Sequence, residues 1–325
     1  MWWMVIASLL FPGFGQALVH RRVRAIAWAA VALGTLLGVV WTIWLFPVVL
    51  LVHLASAIDA LHCLRRDARP GGLDRMFGAI VLVIGAVGAG FARMALQGFH
   101  IPTSSMYPTI EIGDRIYVDK LTKHWRPIER GELVAHRYPC NPSIIYIKRV
   151  VAVGGDTVEI RCDVLYVNGK AVPHTVVAKD WEYEDYDESI HAWERTQVSR
   201  WHEVLDGRAY DVFEGIGEPG RRDFPALDRP FPPGCAEQAM FREPVHTHEV
   251  KGEIVDTKPG AGACELQRHY VVPKGALFGL GDNRYNANDS RFWGAFSEDD
   301  VIGRVIGVWY NDGQAGPLSR FGAVQ

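Results

Sequence analysis

Long uncharged runs fill the first hundred residues, and short alternating apolar stretches broken by Gly and Pro fill the rest. Met1 to Val19 carries no charge and is interrupted by Pro12, Gly13, Gly15 and Gln16, so it either spans a bilayer or enters it and bends back. Non-helical backbone at that depth needs cover from the rest of the protein. His20, Arg21, Arg22 and Arg24 follow the run, whereas a cleaved secretory signal carries its basic residues in front. Ala25 to Ile58 is uncharged for 34 residues, with Trp41, Trp44 and Pro47 near its middle. One span needs ~20 residues, so this run predicts two short spans joined at a turn, or one long tilted span. Met76 to Ala92 is a further uncharged run of 17.

Beyond residue 97 the period changes. Asp114–Lys120, Glu132–Arg137, Ile144–Val153, Thr157–Val167 and Val301–Val308 alternate apolar and polar residues and predict strands. Asn168-Gly169 between two such runs predicts a two-residue hairpin. No long amphipathic helix is apparent. Residues 176–265 are richer in acidic residues, Trp, Pro and Gly and show little periodicity, which predicts an inserted subdomain or long loops. The fold expected is mainly β, preceded by an α-helical transmembrane region. Its predicted parts are a multi-span membrane domain over 1–75, an anchor over 76–97, a β domain over 98–175 and 266–325, and an insert over 176–265.

Charge sharpens the division. The first hundred residues hold eight Arg, no Lys and three Asp, while the whole chain is −3, so the remaining 225 carry a net −8. Arg21, Arg22 and Arg24 form one basic loop, and Arg65, Arg66, Arg69 and Arg75 a second. With both on the cytoplasmic side, the last run crosses outward and carries everything after it to the opposite face. Neither net charge nor patterning suggests a nucleic-acid partner. Of the five Cys, Cys140, Cys162, Cys235 and Cys264 fall in the exported part, where two disulfides fit an oxidising compartment. Cys235–Cys264 is the expected pair because both lie in the same loop-rich region. No CxxC or paired-His spacing supports a metal site.

Three segments carry candidate chemistry. Ile101-Pro102-Thr103-Ser104-Ser105-Met106-Tyr107-Pro108 is a hydroxyl cluster held rigid between prolines. Tyr146-Ile147-Lys148-Arg149-Val150-Val151 places a Lys inside an apolar β pattern. Burial disfavours the ammonium, and a neutral Lys can take a proton from a Ser hydroxyl. Read alone, that Lys could equally be an edge residue reaching water. Gly281 to Gly294 is a polar loop dense in turn formers, without the acidic spacing of a calcium loop.

Taken together, SSMYPT with the preceding IPT, RGELVAHRYP at Arg130–Pro139, YIKRVVAVGGD at Tyr146–Asp156 and GDNRYNANDSRFWG at Gly281–Gly294 resemble the four signature boxes of type I signal peptidases. The resemblance covers roughly 97–175 and 270–310. It implies a membrane-bound Ser–Lys endopeptidase that removes signal peptides from exported preproteins, without metal or organic cofactor. Ser105 would be the nucleophile, Lys148 the general base, and Thr103 with the Ser105 N–H the oxyanion hole. Arg149 with Asp282, and Asp289 with Arg291, would be supporting ion pairs. Ile101, Met106, Tyr146 and Ile147 would line shallow pockets for small residues, and the strand edge at Ile145–Lys148 would pair with an extended substrate. Phe292 and Trp293 are candidates for contact with lipid headgroups.

The partners implied are signal peptides, the lipid bilayer and the export machinery. The location implied is the inner membrane of a bacterium, multi-pass, with the catalytic domain on the periplasmic or outer side. One departure stands out: Ala287 occupies a position where many bacterial members carry a Ser that orients the Lys. It leaves room for a dedicated maturation peptidase, or for a non-catalytic relative that binds exported chains.

Overall fold

The computed structural model describes residues 2–19, 21–39, 43–66, 72–187, 191–217, 223–225, 234–237, 247–258, 260–262, 264–312 and 316–324. The chain divides into two compact units, one built mainly on residues up to Gly98 and one on Phe99–Val305 with Tyr310–Arg320.

The first unit is helical: α1 (Trp2–Leu10), α2 (Phe14–Leu18), α3 (Arg22–Gly38), α4 (Phe46–Arg66) and α5 (Gly72–Ala95). The first apolar run is therefore broken rather than continuous. Gly13 makes the break at φ +95°, and a Cβ there would lie 2.3 Å from the carbonyl oxygen of Ala25. The freed backbone groups are met by buried side chains: Gly13 N–H donates to Ser56 Oγ at 3.0 Å and Gly15 N–H to Ser8 Oγ at 2.7 Å. The second run is two helices, α3 and α4, and Pro47 stands in the first turn of α4, where its missing N–H costs nothing. Trp41 and Arg69 lie outside the described residues. Helix α4 runs on through Asp59, whose carboxylate accepts from Trp28 Nε1 at 3.0 Å, Gln16 Nε2 at 3.1 Å and Arg24 at 2.8 Å. Among the described residues, two helices are long and apolar enough to cross a bilayer, Phe46–Arg65 and Asp74–Ala95.

The second unit is mainly β. Along the chain run β1 (Leu96–His100), β2 (Asp114–Asp119), β3 (Leu133–Tyr138), β4 (Asn141–Val153), β5 (Thr157–Arg161), β6 (Val164–Val167), β7 (Lys170–Ala171), β8 (His174–Asp187), β9 (Ala192–Leu205) and β10 (Arg208–Glu214). After the short helix α6 (Gly234–Glu237) come β11 (Glu253–Asp256), β12 (Arg268–Val271) and β13 (Ala276–Leu280). Helix α7 (Ser290–Trp293), β14 (Phe296–Ser297) and β15 (Val301–Asn311) close the order. They form a seven-stranded sheet, β1-β2-β15-β3-β4-β13-β14, a five-stranded sheet, β11-β12-β5-β6-β7, and a three-stranded sheet, β10-β9-β8. A core of Val151, Val158, Ile160, Phe224, Tyr270, Phe278 and neighbours lies between strands of different sheets.

Three expectations change here, and the inserted segment gains a structure. Thr157–Val167 is a hairpin, not one strand: Cys162 and Asp163 turn it at φ 46° and 67°, and Arg161 pairs with Val164. The Asn168-Gly169 hairpin stands as expected, at φ 53° and 71°. Much of 176–265 is strand: β8 and β9 form a long ribbon, and Asp206-Gly207 turns β9 into β10 at φ 49° and 81°. The disulfides are Cys140–Cys235 and Cys162–Cys264, not Cys235–Cys264. Cys140 and Cys162 each stand at the tip of a β turn, so each staples a hairpin to a different part of the loop-rich segment. Finally, Trp293 is fully buried, packed near His136, Tyr138 and Phe296, and so is core rather than a lipid contact.

Candidate active site

The segment after β1 is not helical and is pinned at several points. Ile101 N–H donates to Asp114 O at 2.9 Å, and Gly113 N–H donates to Ile101 O at 2.9 Å. Asn283 holds the next turn, its N–H donating to Ser105 O at 3.2 Å and its Nδ2 to Ser104 O at 3.2 Å. Gly281 permits this approach: a Cβ there would stand 2.5 Å from Ser105 O and 2.4 Å from Ala287 Cβ. Ser105 is thereby fixed, half-buried, at the wall of a cavity of about 400 Å³.

Lys148 comes from β4, opposite Val134 of β3. It is 2% exposed, and its Nζ stands 3.4 Å from Ser105 Oγ while donating to Ile147 O at 2.9 Å. Tyr146 presents its ring 5.0 Å from the same nitrogen. Space for the side chain depends on β13: a Cβ on Gly279 would meet Lys148 Cβ at 3.0 Å. Burial pulls the Lys148 pKa down to about 8, against the opposing pull of the Asp289 and Asp282 carboxylates, while Arg291 adds to the fall. Thr103 Oγ1 stands 3.3 Å from Ser105 Oγ. The arrangement offers a hydroxyl, a buried amine that is largely neutral in mildly basic solution, and a second hydroxyl beside the first. That is the equipment of nucleophilic acyl transfer.

The ion pairs expected from sequence stand beneath it. Arg149 grips Asp282 through Nε at 2.8 Å and Nη2 at 2.7 Å, and donates to Gly131 O at 2.8 Å. Arg291 grips Asp289 through Nε and Nη2, both at 2.8 Å, and Asp289 also accepts from Gly281 N–H at 3.0 Å. Asp289 caps α7 and is held ionised, its pKa lowered by Arg291 against the cost of burial. These pairs position the loop 281–291 against Ser105 and Lys148 rather than reach the cavity.

Ile101, Met106, Tyr146 and Ile147 all line the cavity with Ser105 and Lys148. Asp185, Tyr186, Asn286 and Asn288 line it too. The two Asn lie in the loop already singled out, whereas Asp185 and Tyr186 belong to β8, where no motif marked them. Strand β13 pairs with β4 only from Arg149 to Val153, so the same edge of β4 over Tyr146–Lys148 is left without β13. Ala287 is buried and brings no hydroxyl to the site; the second hydrogen bond of Lys148 goes to the Ile147 carbonyl.

The family model "Signal peptidase, peptidase S26" matches residues 73–310. A signal peptidase I of Aquifex aeolicus is 27% identical over 220 residues, covering 66% of this chain and 76% of that protein. A signal peptidase I of Pseudomonas aeruginosa is 27% identical over 237 residues, covering 66% of this chain and 64% of that one. The crystal structure of a signal peptidase I from Enterococcus faecalis aligns at 21% identity over 55% of this chain and 97% of that chain, with a TM-score of 0.24. By the match across most of its length, the chain belongs to the S26 signal peptidase family.

Proposed function

We propose that this chain is a membrane-bound serine endopeptidase that removes signal peptides from exported preproteins with a Ser105–Lys148 dyad. The observation that carries the reading is the buried Lys148 amine 3.4 Å from Ser105 Oγ, on the wall of a cavity large enough for a peptide segment. The neutral amine takes the Ser105 proton as Oγ attacks the scissile carbonyl. The negative charge that develops on the carbonyl oxygen is met by the Ser105 N–H and the Thr103 hydroxyl. The Lys148 ammonium then gives its proton to the leaving amine, and the acyl-enzyme is hydrolysed by water with Lys148 again as base. Asp289 and Asp282 favour the ammonium that forms transiently.

Substrate lies as an extended strand along the β4 edge over Tyr146–Lys148. Ile101, Met106, Tyr146 and Ile147 surround it with apolar surface that admits small residues at the first and third positions before the cut. The apolar helices of the first unit anchor the enzyme in the inner membrane of a bacterium, with several passes. The two basic loops face the cytoplasm and the catalytic domain faces the periplasm or exterior. Preproteins reach it there from the export machinery.

The test is cleavage of a preprotein with a small-x-small site by the full chain in detergent, followed across pH. The expected result is a cut at the signal junction whose kcat/KM rises with pH and levels off above about 8, where Lys148 is neutral. A rate that stays flat from mildly acidic to basic pH rules out Lys148 as the base.

A smaller effect isolates the oxyanion hole. Thr103→Val keeps the branched shape and removes the hydroxyl, and is expected to lower kcat by about 10²–10³ with little change in KM. A matched rise in KM with unchanged kcat would place Thr103 in ground-state binding instead.

A further inference from the structure

The β8–β9 ribbon brings to the cavity a carboxylate that lies outside all four signature segments. The strands pair without a break from Trp181↔Val198 to Asp187↔Ala192, and this carries Asp185 to the turn that holds the nucleophile. Ser104, the residue before Ser105, donates its hydroxyl to Asp185 Oδ2 at 2.8 Å, and Asn286 Nδ2 donates to the same oxygen at 2.7 Å. Oδ1 accepts the Tyr186 N–H at 2.9 Å. All three donors are neutral, so they orient the carboxylate without cancelling its charge. Among the described residues the partners of the Asp185 carboxylate are these neutral groups and no Lys, Arg or His forms an ion pair with it, and the side chain is only half-buried. Of the other ionisable groups lining the cavity, His100 is turned to Asp312 at 3.4 Å, and Lys148 is neutral when it acts as base. With Lys148 in that neutral form, the cleft presents, among the described residues, a negative charge with no cation paired to it, hydrogen-bonded to the neighbour of the nucleophile.

We propose that Asp185 is a specificity-determining residue of the peptidase reaction. It makes the cleft favour a cationic side chain, and resist an acidic one, on substrate residues within two positions of the scissile bond. The range follows from chain geometry: two residues of extended peptide reach about 7 Å, and Asp185 is hydrogen-bonded to the neighbour of Ser105. The proposal rests on the Ser105–Lys148 reading, and it predicts selectivity by charge at positions where pocket size does not discriminate. Unit charges across this distance, partly screened by water, give a Lys-over-Glu preference on the order of tenfold in kcat/KM.

The experiment is a peptide set carrying one small-x-small site, with Lys, Ala or Glu placed in turn at the second position before the cut and at the two positions after it. The set is cleaved by the full chain in detergent, by wild type and by Asp185→Asn. That substitution keeps an oxygen for Ser104 and removes the charge, and the ratio of rates for Lys and Glu peptides cancels any general loss of activity. The expected result is a ratio near ten at one or more positions for wild type, falling toward one in Asp185→Asn. A second arm needs no variant: the wild-type ratio should shrink as salt rises from low to about 1 M, where the screening length is ~3 Å. A wild type that cuts the Ala peptide but shows no Lys-over-Glu ratio, or the same ratio in the variant, overturns the proposal and leaves the dyad standing. A wild type that cuts none of the set overturns the dyad reading and this one with it.

Discussion

Replacing Lys148 by Met is expected to lower kcat/KM on a small-x-small preprotein by about 10⁴-fold or more. General-base catalysis alone is worth up to roughly 10⁴, and members of a nucleophile–base unit cost more than that when removed, because neither works without the other. Met suits the test because it refills the space left by the four-carbon stem, so a packing defect does not masquerade as a chemical one. Ala in its place would leave a void beside Gly279 and Phe296, the neighbours that the close approach at residue 279 brings together. The stability readout separates the two roles. In wild type the unfolded state binds the Lys148 proton more tightly than the folded state between about pH 8 and the ordinary Lys range, so folding gains stability as pH rises through that window. Lys148→Met has no such proton, so its advantage over wild type is greatest below about pH 8 and fades above it. Activity lost with the fold retained, and this pH-dependent gain in stability, together identify a buried base. Retention of a tenth of the activity by Lys148→Met would mean that another group takes the Ser105 proton.

The parts legible in the sequence are those where one local signal decides one local outcome. Runs of apolar residues bounded by turn formers place β2, β3, β4 and β15 within a few residues, although only β2 opens on an alternation of buried and exposed positions, and β3 and the Ile147–Ala152 half of β4 are buried on both faces. Asn168-Gly169 declares its turn because both residues tolerate positive φ. Asp206-Gly207 carries the same signal and was obscured by its surroundings. On β8 and β9, Trp181, Tyr186 and Trp193 remain 38%, 37% and 55% exposed, so the ribbon has no clean apolar face for a period to reveal. The turn at Cys162-Asp163 escapes for the opposite reason: apolar residues run on both sides of it, and the positive φ falls on residues other than Gly. The disulfides join residues 95 and 102 apart, and four cysteines allow three pairings that spacing does not rank.

The dyad is a different matter. Ser105 and Lys148 are 43 residues apart, and each taken alone has an ordinary structural explanation. Only the combination of four segments in order makes them a candidate site. Asp185 had no such company. It sits among other acidic residues in a stretch that the resemblance does not cover, and its place on the cavity wall depends on a strand pairing that the sequence does not announce.

The largest expected effect on stability lies under the site, at Arg149. This guanidinium is fully buried with its partner Asp282, both 0% exposed. It makes two bonds to that carboxylate, one to the Gly131 carbonyl and a longer one to Thr109 Oγ1 at 3.5 Å, and its Cζ lies 3.8 Å from the ring centroid of Tyr210. Arg149→Ala removes all of these at once and leaves the Asp282 carboxylate in the core without its cation. Breaking a buried pair by deleting one partner costs about 3–5 kcal/mol, or roughly 6–20 °C in the melting temperature of a domain of this size. Arg149→Lys should recover little, because a single ammonium reproduces neither the two-pronged grip nor the stacking on Tyr210. The same substitution is felt in catalysis. Asp282 is one of the charges that hold the Lys148 pKa up, and without the Arg149 guanidinium its field acts on Lys148 undiminished. The rise of kcat/KM with pH should therefore move to higher pH in Arg149→Ala, measured at a temperature where the variant is still folded. A melting temperature within two degrees of wild type would show that water reaches Asp282. An unmoved pH profile in a destabilised variant would show that the pair supports the fold without tuning the base.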